Sequence, residues 1–144
     1  MLWSRYLAPH LILVVVACAC NSNPAGPSAG SSKEAFFAAL RQQGASVTPG
    51  QMLSRESTPY FEVPAQIVQV NTGTINVFEY GDAAAAGRDA AKVSPDGSSV
   101  GNTSILWIGP PHFYRNDRLI VVYAGHSLAV LQPLEAVLGP PFAH

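Results

Sequence analysis

From residue 33 onward the apolar positions fall into short runs that switch between helical and extended spacing. Ser31-Ser32-Lys33-Glu34 has the S-x-x-E spacing of a capping box. It predicts a helix over 35–43 with Phe36, Ala39 and Leu40 on one face and Gly44 as terminator. Pro49, Gly50, Pro59 and Pro64 break residues 45–64, where Tyr60-Phe61-Glu62-Val63 is the one extended candidate. Residues 66–70 and 74–80 are β-branched and aromatic runs joined by Asn71-Thr72-Gly73, the composition of a hairpin. Asp82 caps a predicted helix over 83–93, whose Ala83, Ala86, Ala90 and Val93 share a face, and Ser94-Pro95-Asp96-Gly97 ends it.

The same order then recurs. Residues 104–108 read as a strand interrupted by Pro110-Pro111, and Phe113-Tyr114 leads through the polar turn 115–118 into an apolar strand over 119–123. A helix over 128–138 follows, with Ser127 available as its cap; Pro133 implies either a kink or a start at that residue. The expected architecture is α+β: an N-terminal helix and two β-β-α units, forming one antiparallel sheet of four to five strands with helices packed on one face.

Upstream the pattern is different in kind. Arg5 precedes ten consecutive apolar residues, 11–20, the arrangement of a secretory signal. Ten helical residues rise about 15 Å, half a hydrocarbon core, so the segment is a poor membrane span. Val15-Val16-Ala17-Cys18 resembles the lipobox of bacterial lipoproteins. That resemblance implies alkylation of the Cys18 thiolate by diacylglycerol, with acyl chains such as palmitate, and cleavage before Cys18. Cys20 is a second, poorer acceptor, since Ala stands where the aliphatic residue belongs. Cysteines separated by one residue are badly placed to form a disulfide with each other. Residues 21–32 contain no charge and no side chain larger than Asn or Pro, the composition of a tether. The chain therefore divides into a signal peptide (1–17), a lipidated cysteine and flexible linker (18–32) and one α+β domain (33–144).

Charge narrows the partners. Only 12% of the 144 residues are charged and the net charge is −1, against about 25% charged in an average soluble domain. There is no basic field for nucleic acid and no acidic tail. Residues 33–144 carry 16 charges with a net of −2, so the shortage belongs to the domain itself. Short-range apolar and hydrogen-bond contacts are the expected means of recognition.

Chemistry-bearing motifs are sparse. No phosphate loop, HExxH, GxSxG or cysteine pair occurs after the linker, and no cofactor or metal is expected. His112 and His126 with Glu79 or Asp82 would reach three zinc ligands, but no local spacing supports such a set. Pro110-Pro111 stiffens a segment in which Trp107, His112, Phe113, Tyr114 and Arg115 form a candidate binding surface, the mixture that binding hot spots use. The competing reading makes Trp107 and Phe113 core residues. Glu79 lies between Phe78 and Tyr80, and exposure near the strand end is expected.

Phe78-Glu79-Tyr80, Ser94-Pro95-Asp96-Gly97-Ser98, Trp107-Ile108-Gly109-Pro110-Pro111-His112-Phe113-Tyr114 and Leu119-Ile120-Val121-Val122-Tyr123-Ala124-Gly125 resemble small uncharacterised bacterial lipoproteins. The resemblance implies an extracytoplasmic, lipid-anchored protein and no particular chemistry. The expected function is a non-catalytic binding module held at a bacterial membrane by its N-terminal lipid, whose partner is another envelope protein or ligand and not nucleic acid. The alternative is a small envelope hydrolase using His112 or Glu79, which predicts a pocket where at least two of His112, His126, Glu79 and Tyr114 converge.

Overall fold

The computed structural model describes residues 32–144. The signal, Cys18, Cys20 and the tether up to residue 31 lie outside the described residues. The elements run α1 (Lys33–Gln42), β1 (Val47–Leu53), β2 (Ala65–Val70), β3 (Gly73–Glu79), α2 (Ala83–Ala90), β4 (Ser99–Val100), β5 (Thr103–Ser104), β6 (Pro111–Asn116), β7 (Leu119–Ala124) and α3 (Leu128–Leu138). Five strands form one sheet in the order β1-β2-β3-β7-β6, antiparallel throughout, while β4 and β5 make a separate two-stranded ribbon. The fold is α+β, as its alternating periods predict.

Side-chain alternation gives the sheet two buried faces. On the first, Val68, Val70, Ile75, Val77, Tyr114, Leu119, Val121 and Tyr123 pack beneath Phe36 and Leu40 of α1 and Val130 and Leu134 of α3. On the second, Ala65, Phe78, Phe113, Ile120 and Val122 pack against Ala86 of α2, Phe61 and Val100. Helices thus cover both faces, which corrects the expectation of one.

The two tyrosines that leave the inner strands account for the difference. Tyr80, one residue past β3, turns its side chain to the second face and its hydroxyl donates to Asp89 of α2 at 2.7 Å. Tyr123, one residue before the end of β7, turns to the first face, where its hydroxyl accepts from the Ser127 N–H at 3.3 Å ahead of α3. A shift of one residue along a strand reverses the face, so two otherwise similar β-β-α units send their helices to opposite sides.

Several boundaries differ from those the pattern predicts. The N-cap of α1 is Ser32, whose Oγ accepts from the Ala35 N–H, one residue later than the capping-box spacing suggests. The strand in the proline-broken segment is Val47–Leu53, and Tyr60-Phe61-Glu62-Val63 is not extended. Phe61 and Tyr60 instead pack edge-on against Phe78, at centroid distances of 4.8 and 6.0 Å. Residues 105–108 form a loop, not a strand. Asp82 does cap α2, accepting from the Ala85 N–H at 2.7 Å, but Ser127 makes no side-chain cap to α3.

Pro133 sits inside α3 without ending it. Proline has no N–H, so the carbonyl four residues earlier, Ala129, loses its helical donor. Asn71 replaces it: its Nδ2 donates to the Ala129 carbonyl at 2.6 Å, while its Oδ1 accepts from the Ser46 N–H at 2.8 Å. Asn71 holds a positive φ of 51° in the β2–β3 turn, which places both ends of its amide. Next to it, a Cβ on Gly73 would meet Val130 Cγ2 at 2.7 Å, so α3 seats directly on this turn.

Asp89 is the second internal tie. It is 0% exposed, and its carboxylate accepts from Tyr80 Oη (2.7 Å), the Glu62 N–H (2.8 Å) and Lys92 Nζ (2.6 Å); Lys92 also reaches Glu62 Oε1 at 3.2 Å. A buried carboxylate is tolerable only when its lone pairs are filled in this way. The contacts fasten the irregular segment before β2 to α2.

The sheet borders are unlike each other. Along β6, the Phe113 N–H donates to Ala143 O and the Phe142 N–H to Phe113 O, so residues 142–143 close that edge at Phe113. Along β1, the register breaks between Pro49 and Met52. The Asn71 N–H donates to Ser46 O, which makes Ser46 and Asn71 a hydrogen-bonding pair. By the antiparallel alternation Pro49 then turns its nitrogen to the open side.

Candidate functional site

Charge is unevenly distributed over this scaffold. Residues 63–78, 97–114 and 119–134 contain no Asp, Glu, Lys or Arg. Register brings parts of these segments to one end of the sheet: Ile75 lies beside Tyr123, and Ala124 beside Pro111. The opposite end carries Glu79, Asp117 and Arg118, with Arg118 paired to Glu79 at 2.9 Å. The domain therefore has a charged pole and an opposite pole where these segments carry no charge and the nearest carboxylate is the exposed Asp96, next to Gly97.

The opposite pole carries the loop 105–110. Leu106 is 98% exposed and Ile108 100%, whereas Trp107 between them turns inward. The indole N–H donates to the Gly97 carbonyl at 2.8 Å, and the ring packs edge-on against Phe113 at 5.6 Å and Tyr60 at 6.3 Å. Gly97 has a φ of +66°, and a Cβ there would meet Pro111 Cγ at 2.9 Å and Phe113 Cε2 at 3.0 Å. Glycine is required at the residue that receives the tryptophan. On the far side Gly109 lies against Gly125, whose N–H donates to the Pro110 carbonyl at 2.9 Å. Two large aliphatic side chains are thus held out by a loop fixed on both sides. Between the loop and the second face lies a cavity of about 250 Å³, lined by Thr74 and Asn76 of β3, Val122 and Ala124 of β7, and residues 106–108.

A larger cavity of about 360 Å³ lies between the end of α1 and α3, lined by Gln43, Ala45, Asn71, Gln132, Pro133 and neighbours. Asn71 is occupied there in holding the turn and α3. That cavity is a seam between packed elements, and among its lining residues the exposed apolar side chains are the small Ala129 and Ala136.

The residues singled out from sequence do not form one surface. Phe113 and Tyr114 are both 0% exposed and lie on opposite faces of β6. Trp107 braces the loop from beneath. Arg115 is exposed and lies over α2, its Nη1 2.8 Å from where a Cβ on Gly87 would stand. His112 is half-buried with its Nε2 3.0 Å from the Gly125 carbonyl; a carbonyl only accepts, so Nε2 carries the proton. Its ring stacks on Tyr123 and His144 at 6.1 and 6.3 Å.

The groups that a hydrolase would need stand apart. Glu79 pairs in register with Leu119 and His112 with Tyr123, four residues along β7, or about 13 Å. Glu79 is neither free nor fully exposed, since it accepts from Arg118 and, at 3.4 Å, from the Lys33 N–H. His126 is exposed on the turn before α3. The Tyr114 hydroxyl is buried without a hydrogen-bond partner among the described residues, and burial, then Glu135 and Tyr123, push its pKa upward. No cluster of three or more His, Cys, Asp or Glu able to hold a metal occurs among the described residues.

Leu106 and Ile108 are what a reading by elements misses, because four consecutive apolar residues pass for a buried strand. The signal lay in their surroundings: Gly109-Pro110 follows directly and stops 105–108 from running on into β6, where Pro111 is tolerated as the first residue. Among the described residues no helix is long and apolar enough to cross a membrane. No protein family, curated protein or solved structure matches the chain.

Proposed function

We propose that this chain is a lipid-anchored, extracytoplasmic binding module of a bacterial envelope that performs no chemistry of its own. The sequence supports the anchor through Val15-Val16-Ala17-Cys18 and the charge-free tether behind it. The observation that carries the binding reading is the pair Leu106 and Ile108, 98% and 100% exposed on a loop that Trp107 and Gly97 hold in place. Leaving two such side chains in water forgoes roughly 3–6 kcal/mol of burial, so a surface that covers them is the natural complement. With no charge in residues 97–114, that surface is gripped by short-range contacts.

The anchor is tested by expressing the full chain and its Cys18→Ser variant in a bacterium that processes lipoproteins. The expected result is a membrane-bound product whose N-terminal residue is a diacylglyceryl-modified Cys18, and a Cys18→Ser chain that is neither modified nor processed. Modification at Cys20 instead would move the anchor by two residues. An unmodified wild-type chain would end the reading.

A further inference from the structure

The start of the described chain and the apolar loop lie at opposite ends of the domain, and the length between them names what the loop meets. The Lys33 N–H contacts Glu79, so the tether joins the domain at the charged pole. The loop 105–110 lies over Thr74 and Asn76 at the other end of β3. From Glu79 to Thr74 is five residues of strand, about 17 Å. Fourteen residues separate Cys18 from Lys33, and a Gly/Ser-rich linker of that many residues has a root-mean-square reach of about 20 Å. A second contact made through a tether is most favourable when the tether's natural length matches the span.

We propose that the pole bearing the loop 105–110 docks onto the same bilayer that holds the anchor, with Leu106 and Ile108 inserted at the headgroup–acyl boundary. The inference rests on the lipid-anchor reading. Three features select a lipid surface. The exposed aliphatic side chains at this pole are few, Leu106, Ile108 and the 64% exposed Leu128, too small a patch for a stable protein interface of about 800 Å² a side. A tethered contact needs far less, because the anchor supplies a high local concentration of bilayer. Charge is absent from 97–114, so nothing in the loop resists entry into an apolar layer and nothing seeks anionic headgroups. Finally, the inward Trp107 makes the loop rigid, so little ordering is lost on insertion.

The test uses the processed, lipidated full-length product in phosphatidylcholine vesicles whose acyl chains are brominated near the headgroup. Of the two tryptophans, Trp3 leaves with the signal, so emission reports Trp107. Quenching of Trp107 is expected, unchanged by added salt or anionic lipid. It should fall about tenfold in a Leu106→Ser/Ile108→Ser variant, whose substituted side chains make no core contact and whose fold circular dichroism should find unaltered. Modified Cys18 with unquenched Trp107, or equal quenching in the double variant, overturns the docking and leaves the anchor intact. Cross-linked dimers, or a bound envelope protein, that disappear with Ile108→Ser would overturn it by giving the loop to another occupant. An unmodified Cys18 overturns both readings together.

Discussion

Asn71 Nδ2 stands 2.6 Å from the Ala129 carbonyl, the acceptor that Pro133 deprives of its helical donor. A turn residue between two strands thus completes a helix more than fifty positions away.

Replacing Asn71 with Ala should remove this bond, the bond to Ser46 and the residue's tolerance of positive φ together, at a cost of about 3 kcal/mol. The second change Pro133→Ala should recover about 1 kcal/mol, because residue 133 then supplies the missing N–H. A double-mutant cycle by urea denaturation measures the coupling. Additive effects would show that the two residues act separately.

Asp89 makes stability depend on acid. Burial raises its pKa, but the bonds from Lys92, the Glu62 N–H and Tyr80 outweigh that, so its folded value lies below the ordinary 3.8. A depressed carboxylate stabilises the fold above its unfolded pKa and loses that contribution as pH falls through the folded value. Asp96, lowered to about 2 by the Ser94 hydroxyl and by the N–H and hydroxyl of Ser98, acts in the same window. Urea midpoints should therefore drop between about pH 4 and pH 2. Asp89→Asn should be less stable at pH 7, by about 3 kcal/mol, and show a shallower acid limb. An acid limb as steep as the parent's would remove Asp89 from the explanation.

Tyr114 carries a hydroxyl into the core with no hydrogen-bond partner among the described residues. Tyr114→Phe deletes only that group and should raise stability by about 1 kcal/mol, seen as a higher midpoint of thermal unfolding. Destabilisation would mean that the hydroxyl has a partner after all.

The indole bond from Trp107 to Gly97 fixes the exposed loop. Trp107→Phe keeps a ring against Phe113 but loses the donor, at about 1 kcal/mol. Amide hydrogen exchange should accelerate across 105–109 and stay unchanged in β3 and β7. Uniform acceleration would place the role of Trp107 in global stability.

These ties also mark how far the sequence could be read. The β2–β3 hairpin was legible because Asn71-Thr72-Gly73 is local turn chemistry between two β-branched runs, and β7 because its apolar run is unbroken. The face taken by each helix was not. It turns on a one-residue offset between Tyr80 and Tyr123, and on partners, Asp89 and Ser127, that become neighbours only after folding. The candidate surface dispersed for a related reason. Phe113, Tyr114 and Arg115 are consecutive, and consecutive residues of a strand point to alternate sides. Glu79 and His112 looked equally available in one dimension, yet the register sets them at opposite ends of the sheet.

The borders of the sheet bear on life in a crowd. Copies gathered at one surface meet far more often than copies in solution, and exposed strand edges are where such encounters grow into fibrils. Here residues 142–143 interrupt one border at Phe113, and on the other Pro49 offers no donor where a new strand would dock, beside a break in register. Neighbouring domains can jostle without stitching their sheets together. A high surface density is thereby compatible with each molecule remaining separate.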